Sequence, residues 1–387
     1  MKTFIFPGQG SQSTGMGGTL FDQFKELTAT ADSILGYSIK ELCLDDSANN
    51  LNKTQFTQPA LYVVNALSYL KKVEESGKAP DFLAGHSLGE FNALLAAECF
   101  DFATGLRLVA RRGALMSRVL DGAMAAILNA TQEEIATILR QNDLTGIDIA
   151  NYNTPAQIVI SGRADEIIRA QPFFQKGKIR YYPLNTSGAF HSRFMRTARD
   201  EFQDYLQTFR FAAPKVPVIA NVTARPYRND GILQVLANQI ASTVKWSESI
   251  QYLMAQGLRH GAVMEFEEVG YGDVLTRMLY TIKQQTPDSA LVPYLKEEQQ
   301  ARPDAVAEKP TEVQRSFADA PVKPANAAQK MAAWNSKYPI GTKVTSAVAS
   351  YQSLETRTQA VVLFGHRAAV YMKGYNGYFD LDELAAA

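Results

Sequence analysis

The 387-residue chain carries 39 basic and 39 acidic side chains, so no global field recruits nucleic acid or an anionic membrane. Its 46% apolar and 20% charged residues are those of a folded globular protein, and no run of about 18 apolar residues is present to span a bilayer. Two cysteines, Cys43 and Cys99, argue against a disulfide scaffold, and four histidines without metal-ligand spacing argue against a structural zinc site. At roughly 150 residues per domain the length implies two or three domains. The start, Met1 to Phe6, meets Pro7-Gly8 too early for a signal-peptide core, so a cytoplasmic protein is expected.

In chain order, apolar runs alternate with amphipathic stretches up to about residue 290. Residues 3–6, 81–84, 218–221 and 263–268 read as short buried strands, and 60–72 and 90–99 as helices. That alternation predicts an α/β layer with a mostly parallel sheet. Between about 122 and 187 the pattern changes to strand (123–128), helix (131–140), strand (147–152), strand (157–161), helix (164–175) and strand (179–184). This β-α-β-β-α-β order is ferredoxin-like. From 297 to about 333, Pro303, Pro310, Pro321 and Pro324 lie among small and charged residues, which reads as a linker. Beyond it, 343–349, 356–364 and 368–373 read as strands, with turns at Gly365-His366 and 374–377. The expected organisation is therefore an α/β hydrolase-like core (1–121 and 188–296), a ferredoxin-like insert (122–187), a linker (297–333) and a small β-rich C-terminal unit (334–387).

The strongest local signal is Gly85-His86-Ser87-Leu88-Gly89, a G-x-S-x-G nucleophile elbow with a strand before it and a helix after it. Such a turn projects the Ser87 hydroxyl and aims the first amides of the helix at the site, so the Leu88 N–H is a candidate oxyanion donor. The alternative is a serine in a glycine-bounded turn without chemistry. A serine needs a base. His86 adjoins Ser87, and neighbouring side chains at a tight turn point apart, so packing or orienting is expected of it. His260 reads as a helix-end cation and His366 as a residue of the tail turn. His191 sits in a small-residue loop, 186–192, just past a strand, where catalytic groups commonly stand. No Asp follows in the Ser-Asp-His order of hydrolases, which leaves a backbone carbonyl or an amide side chain to orient the imidazole.

The loop Pro7-Gly8-Gln9-Gly10-Ser11-Gln12 exposes backbone amides and brings Gln9 near a ligand. Without G-x-x-x-x-G-K-[ST] it is a poor phosphate loop and a better oxyanion loop. Arg111 and Arg112 lie on the helical stretch 102–119. Either is solvated, or one guanidinium faces the elbow and recognises a carboxylate on an acyl substrate.

Together these stretches carry a resemblance. Phe6 to Gln12, Gly85 to Glu90, Arg111-Arg112-Gly113, Asn153-Thr154-Pro155 with Gln157 to Gly162, Gly188-Ala189-Phe190-His191-Ser192, Gln239 seven residues before Trp246, and Glu268-Val269-Gly270 occur in family order. Over about residues 1–290 the chain resembles malonyl-CoA:acyl-carrier-protein transacylases. The resemblance implies that Ser87 is acylated, His191 is general base and then acid, Gln9 and the Leu88 amide form the oxyanion hole, and Arg112 binds the malonyl carboxylate. It also implies that the Gln239 backbone carbonyl orients His191, that Asn153 lies toward the CoA side of the cleft, and that Phe190 crowds a methyl branch. Malonyl-CoA is then a substrate, no bound cofactor or metal is called for, and the partner is a phosphopantetheinylated acyl carrier protein. Gly270-Tyr271-Gly272 stands where the family has Gly-Pro-Gly, with no catalytic consequence attached to it.

The linker and tail beyond 290 resemble an extended, trans-acting acyltransferase of polyketide synthesis. The rival readings are an editing acyl hydrolase acting on carrier-protein thioesters, a lipase or esterase, and a carrier-protein docking module whose tail is the binding element. The Arg112 clamp weighs against the hydrolase, and the missing acid after Ser87 against the lipase.

Overall fold

The apolar run Phe4-Ile5-Phe6 is completely buried because its strand lies inside a sheet, paired on both sides. The computed structural model describes residues 1–76, 79–119, 121–186, 188–228, 231–300, 327–346, 354–363, 367–373, 378–381 and 384–386. By internal contacts the chain forms two units, one of residues 1–22, 27–72 and 80–297 and the other of 23–26, 73–79 and 298–387.

Among the described residues of the larger unit the strands are β1 (Lys2–Phe6), β2 (Phe82–Gly85), β3 (Gly122–Leu128), β4 (Asp148–Thr154), β5 (Gln157–Arg163), β6 (Arg180–Pro183), β7 (Val218–Ile219) and β8 (Glu265–Glu268). β7-β2-β1-β8 form one sheet, parallel throughout, in register Phe4 against Leu83 and Phe4 against Glu267. Ile5, Ala84, Ile219, Trp246 and Leu253 pack together on it, a core of the kind that parallel sheets require. The strand expected at 218–221 ends at Ile219, and Asn221 is released to use its side chain at the site. The helix expected over 102–119 is Phe102–Met116, capped by Asp101 on the Thr104 N–H.

The second sheet of this unit has the order β4-β5-β3-β6, antiparallel throughout. With helices Gln132–Gln141 and Ala164–Phe174 it is the ferredoxin-like layer, its own core built on Ile127, Ile135, Ile160 and Phe174. Thr131 and Glu134 form a capping box at the first helix. Core and insert belong to one unit because main-chain bonds stitch them: Tyr152 N–H to Val244 C=O at 2.9 Å and Val244 N–H to Ala150 C=O at 2.8 Å.

In the smaller unit the strands are β9 (Lys343–Ser346), β10 (Leu354–Glu355), β11 (Val361–Leu363), β12 (Arg367–Tyr371), β13 (Tyr378–Asp380) and β14 (Leu384–Ala386). They pair as β10-β9-β14 and β11-β12-β13, all antiparallel. Of the strand expected at 356–364 only β11, Val361–Leu363, forms among the described residues; Thr356 makes an isolated bridge to Met372, and β10 lies just before the expected range. Helices Val292–Gln300 and Ala327–Lys337 occupy both ends of the stretch read as a linker, the second because Met331 and Trp334 pack on Val344, Leu354 and Val370. Residues 301–326, Ser187, the Gly365-His366 turn and the 374–377 turn lie outside the described residues. Among the described residues no helix is long and apolar enough to cross a membrane.

A Cβ on Gly89 would stand 2.0 Å from the Phe6 carbonyl oxygen, and one on Gly85 would stand 2.0 Å from the main chain of Gly89. The helix therefore starts in contact with β1. Gly89→Ala is expected to destabilise by at least about 3 kcal/mol, read as a lowered midpoint in thermal or urea unfolding. A midpoint equal to wild type would refute this packing.

Candidate active site

After β2 the chain reverses sharply: His86 N–H still bonds the Phe6 carbonyl (3.0 Å), Ser87 turns into the left-handed region at φ +50°, and helix Gly89–Ala96 begins. Strain of this kind persists only where neighbours hold it. Here Asn221 does so, accepting the Ser87 N–H on Oδ1 (2.7 Å) and donating Nδ2 to the Gly85 carbonyl (2.7 Å).

The Ser87 hydroxyl lies 2.8 Å from His191 Nε2. His191 is also left-handed, at φ +57°. Its N–H donates to the Ile240 carbonyl (3.2 Å), and Nδ1 is 2.9 Å from the Gln239 carbonyl. A carbonyl only accepts, so the bond assigns the proton to Nδ1 and leaves Nε2 free to take the serine proton. Burial, and then the Arg112 cation, push the imidazole down to about 3, so it stands as a neutral base.

Arg112 and Arg111 go opposite ways. Arg112 lies on the buried stripe Leu108, Val109, Arg112 and Met116, while Arg111 stays half-exposed against Glu201. The buried Arg112 guanidinium donates Nη1 to Gln58 Oε1 (2.7 Å) and Nη2 to Gln239 Oε1 (2.8 Å) and to Ser87 Oγ (3.1 Å). Burial lowers it to about 10, against the pull of Glu90, so it remains a cation at neutral pH.

Ser87, His191 and Arg112 open onto a cavity of about 400 Å³ that Gln9, Leu88, Asn153 and Phe190 also line. Leu88 is the residue preceding the helix, where first-turn N–H groups lack a preceding carbonyl. The Gln9 amide reaches Thr54 Oγ1 at 3.4 Å. Asn153 Oδ1 is 2.9 Å from His86 Nε2, and the His86 ring meets Trp246 edge-on at 5.5 Å, so His86 packs and does not touch the serine hydroxyl. His260 caps helix Trp246–Arg259, its Nδ1 bonded to the Gln256 carbonyl.

Gln58, Asn221 and Tyr227, whose hydroxyl donates to Glu90, carry no motif in the sequence, and Glu90 has no expected role there. Asn221 gives no local signal, because a lone Asn after a strand is an ordinary turn residue. Arg112 did carry one, its place on the apolar face of a helix.

The family described as acyl transferase domain matches residues 3–319. The chain belongs to it. The polyketide biosynthesis malonyl CoA-acyl carrier protein transacylase BaeC of Bacillus velezensis is 55% identical over 291 residues, 75% of this chain and 99% of that protein. Its counterpart PksC of Bacillus subtilis is 57% identical over 285 residues, 73% of this chain and 97% of that one. A crystal structure of malonyl CoA-acyl carrier protein transacylase from Burkholderia pseudomallei is 62% identical with a TM-score of 0.73, covering 74% of this chain and 99% of the other.

Because folded His191 stays neutral where an unfolded histidine is charged, the unfolded chain binds more protons between about pH 6.5 and 3. This contribution to stability is present above about pH 6.5 and is lost as pH falls through that window. His191→Gln is expected to flatten the acid limb of the melting temperature against pH between about 7 and 4; parallel curves for the two proteins would contradict the buried neutral base.

Proposed function

We propose that the protein transfers a malonyl group from malonyl-CoA, through a Ser87 acyl-enzyme, to the phosphopantetheine thiol of an acyl carrier protein in polyketide synthesis. One observation carries this reading: a buried guanidinium stands 3.1 Å from the serine hydroxyl and is held by two neutral amides, Gln58 and Gln239. A carboxylate contact would cancel that charge; amide oxygens fix the fork and leave it free to recognise an acid. The buried Arg112 Nε has no acceptor among the described residues, which suits a cation with a donor in reserve for the malonyl carboxylate.

His191 Nε2 takes the Ser87 proton as Oγ attacks the thioester carbonyl, and the imidazolium is stabilised by the Gln239 carbonyl at Nδ1. Gln9 and the Leu88 N–H meet the oxyanion, each such donor being worth about 2.7–4 kcal/mol of barrier. The tetrahedral adduct collapses, the C–S bond breaks and His191 returns the proton to the CoA sulfur. The carrier thiol then gives its proton to Nε2 and attacks the malonyl ester; the C–O bond breaks and His191 returns the proton to Ser87 Oγ. Asn153 lines the CoA side of the cleft, and Phe190 narrows the space beside the acyl α-carbon. No cofactor is needed, since the thioester supplies its own leaving group.

BaeC and PksC, named as polyketide enzymes, support the polyketide setting and a role in trans for synthases without their own acyltransferase. A cytoplasmic location belongs to the same reading and is supported by the buried free thiols Cys43 and Cys99.

Intact mass measurement after incubation with malonyl-CoA is expected to show a malonyl adduct on wild type and none on Ser87→Ala. Arg112→Ala is expected to lower malonyl transfer at least tenfold and to shift preference toward acetyl-CoA. An unchanged malonyl-to-acetyl ratio in that variant would sink the carboxylate role.

A further inference from the structure

The Glu90 carboxyl is completely buried one turn along the helix from Ser87, and the mechanism above does not use it. Its Oε2 accepts from Gln239 Nε2 and from the Asn221 N–H, both at 2.9 Å, and its Oε1 accepts from the Tyr227 hydroxyl. Two of these donors, Asn221 and Gln239, lead back to the site. Asn221 spans the elbow with its side chain, and Gln239 holds the imidazole with its main chain and the guanidinium with its side chain.

We infer that Glu90 is a positioning residue that aims the His191 base, the Arg112 clamp and the Ser87 elbow together, acting through Gln239 and Asn221. The inference rests on the malonyl-transfer reading above. Its physical core is the polarity of one amide. Gln239 Nε2 faces two acceptors, Glu90 Oε2 and the Ser87 carbonyl at 2.8 Å, and this turns Oε1 toward Arg112 Nη2. Turned over, the amide would set N–H against the guanidinium and oxygen against two oxygens. Glu90 and the Ser87 carbonyl therefore together fix which way Gln239 points, and with it where the cation points.

Burial raises Glu90 to about 7, against the bonds from Tyr227, Gln239 and Asn221 and the Arg112 charge. Both protonation forms keep the same partners, because a protonated Oε1 can donate to the Tyr227 oxygen. The acceptor at Oε2 matters, and the negative charge does not. Glutamine can reproduce it, with oxygen at the Oε2 position and its NH₂ on the Tyr227 oxygen. Leucine removes it and leaves the Asn221 N–H buried without a partner.

The test is rapid-quench acylation of wild type, Glu90→Leu and Glu90→Gln by malonyl-CoA and by acetyl-CoA, with thermal unfolding of each protein. Glu90→Leu is expected to lower the maximal malonyl acylation rate about 30- to 100-fold, as displaced catalytic groups do, and to reduce the malonyl-to-acetyl preference. Glu90→Gln is expected to recover at least about a third of the rate and the full preference. A folded Glu90→Leu protein with the wild-type rate, or a Glu90→Gln protein as slow as it, overturns the inference. Where Glu90→Leu does not fold, Gln239→Leu decides: it keeps the carbonyl on His191 and loses the amide, so preference should fall more than the acetyl rate. Wild-type preference in Gln239→Leu overturns the inference. A wild type that takes up no malonyl overturns the functional reading and this inference with it; acylation of wild type with indifferent variants overturns the inference alone.

Discussion

A cation held inside the protein beside a serine hydroxyl is the constraint on which the site depends. Removing a guanidinium from water is costly, and the usual remedy is a carboxylate in contact. Arg112 instead bonds two carboxamide oxygens and the hydroxyl of Ser87. Three helices converge here: Phe102–Met116 carries the arginine, Thr54–Ser76 brings Gln58 and Ile232–Gln239 brings Gln239 at its end. The same charge helps to keep the His191 imidazole unprotonated. In the proposed mechanism one buried cation thus prepares the base and anchors the acyl group.

The elements that repeat a pattern were legible in the sequence. The alternation of apolar runs and helices gives the parallel sheet, the β-α-β-β-α-β run gives the insert, and Gly85 to Gly89 marks the elbow. What escaped is chemistry that arises only where distant segments meet. Asn221 braces a turn 134 positions away, and Gln58 touches an arginine 54 positions on; no spacing rule connects such pairs. Local signals show the strands and turns of the tail, but the helix Ala327–Lys337 looks like linker in sequence because Ala and Lys dominate it. Only Met331 and Trp334 show that it packs.

The ferredoxin-like insert helps to shape the cleft. β4 is irregular, with shifts of register around Ile149 to Asn151 and Tyr152 to Thr154, and at this irregular edge it exchanges main-chain bonds with Val244. Asn153 is thereby fixed to the same stretch of chain that runs from Gln239 to Trp246. Cavity-lining residues of the insert and of the core thus share one frame, which keeps the distances between them small.

His191 is anchored at two points, its main-chain N–H on Ile240 and its ring on Gln239, in a backbone conformation that its neighbours enforce. These two bonds hold the ring beside Ser87. With His191 as the proposed base, both thiols present their sulfur to the same nitrogen and cannot be bound there at once. On the proposed mechanism, free CoA and the carrier's thiol are then rivals for one malonylated serine, and an excess of free CoA is expected to run the transfer backwards.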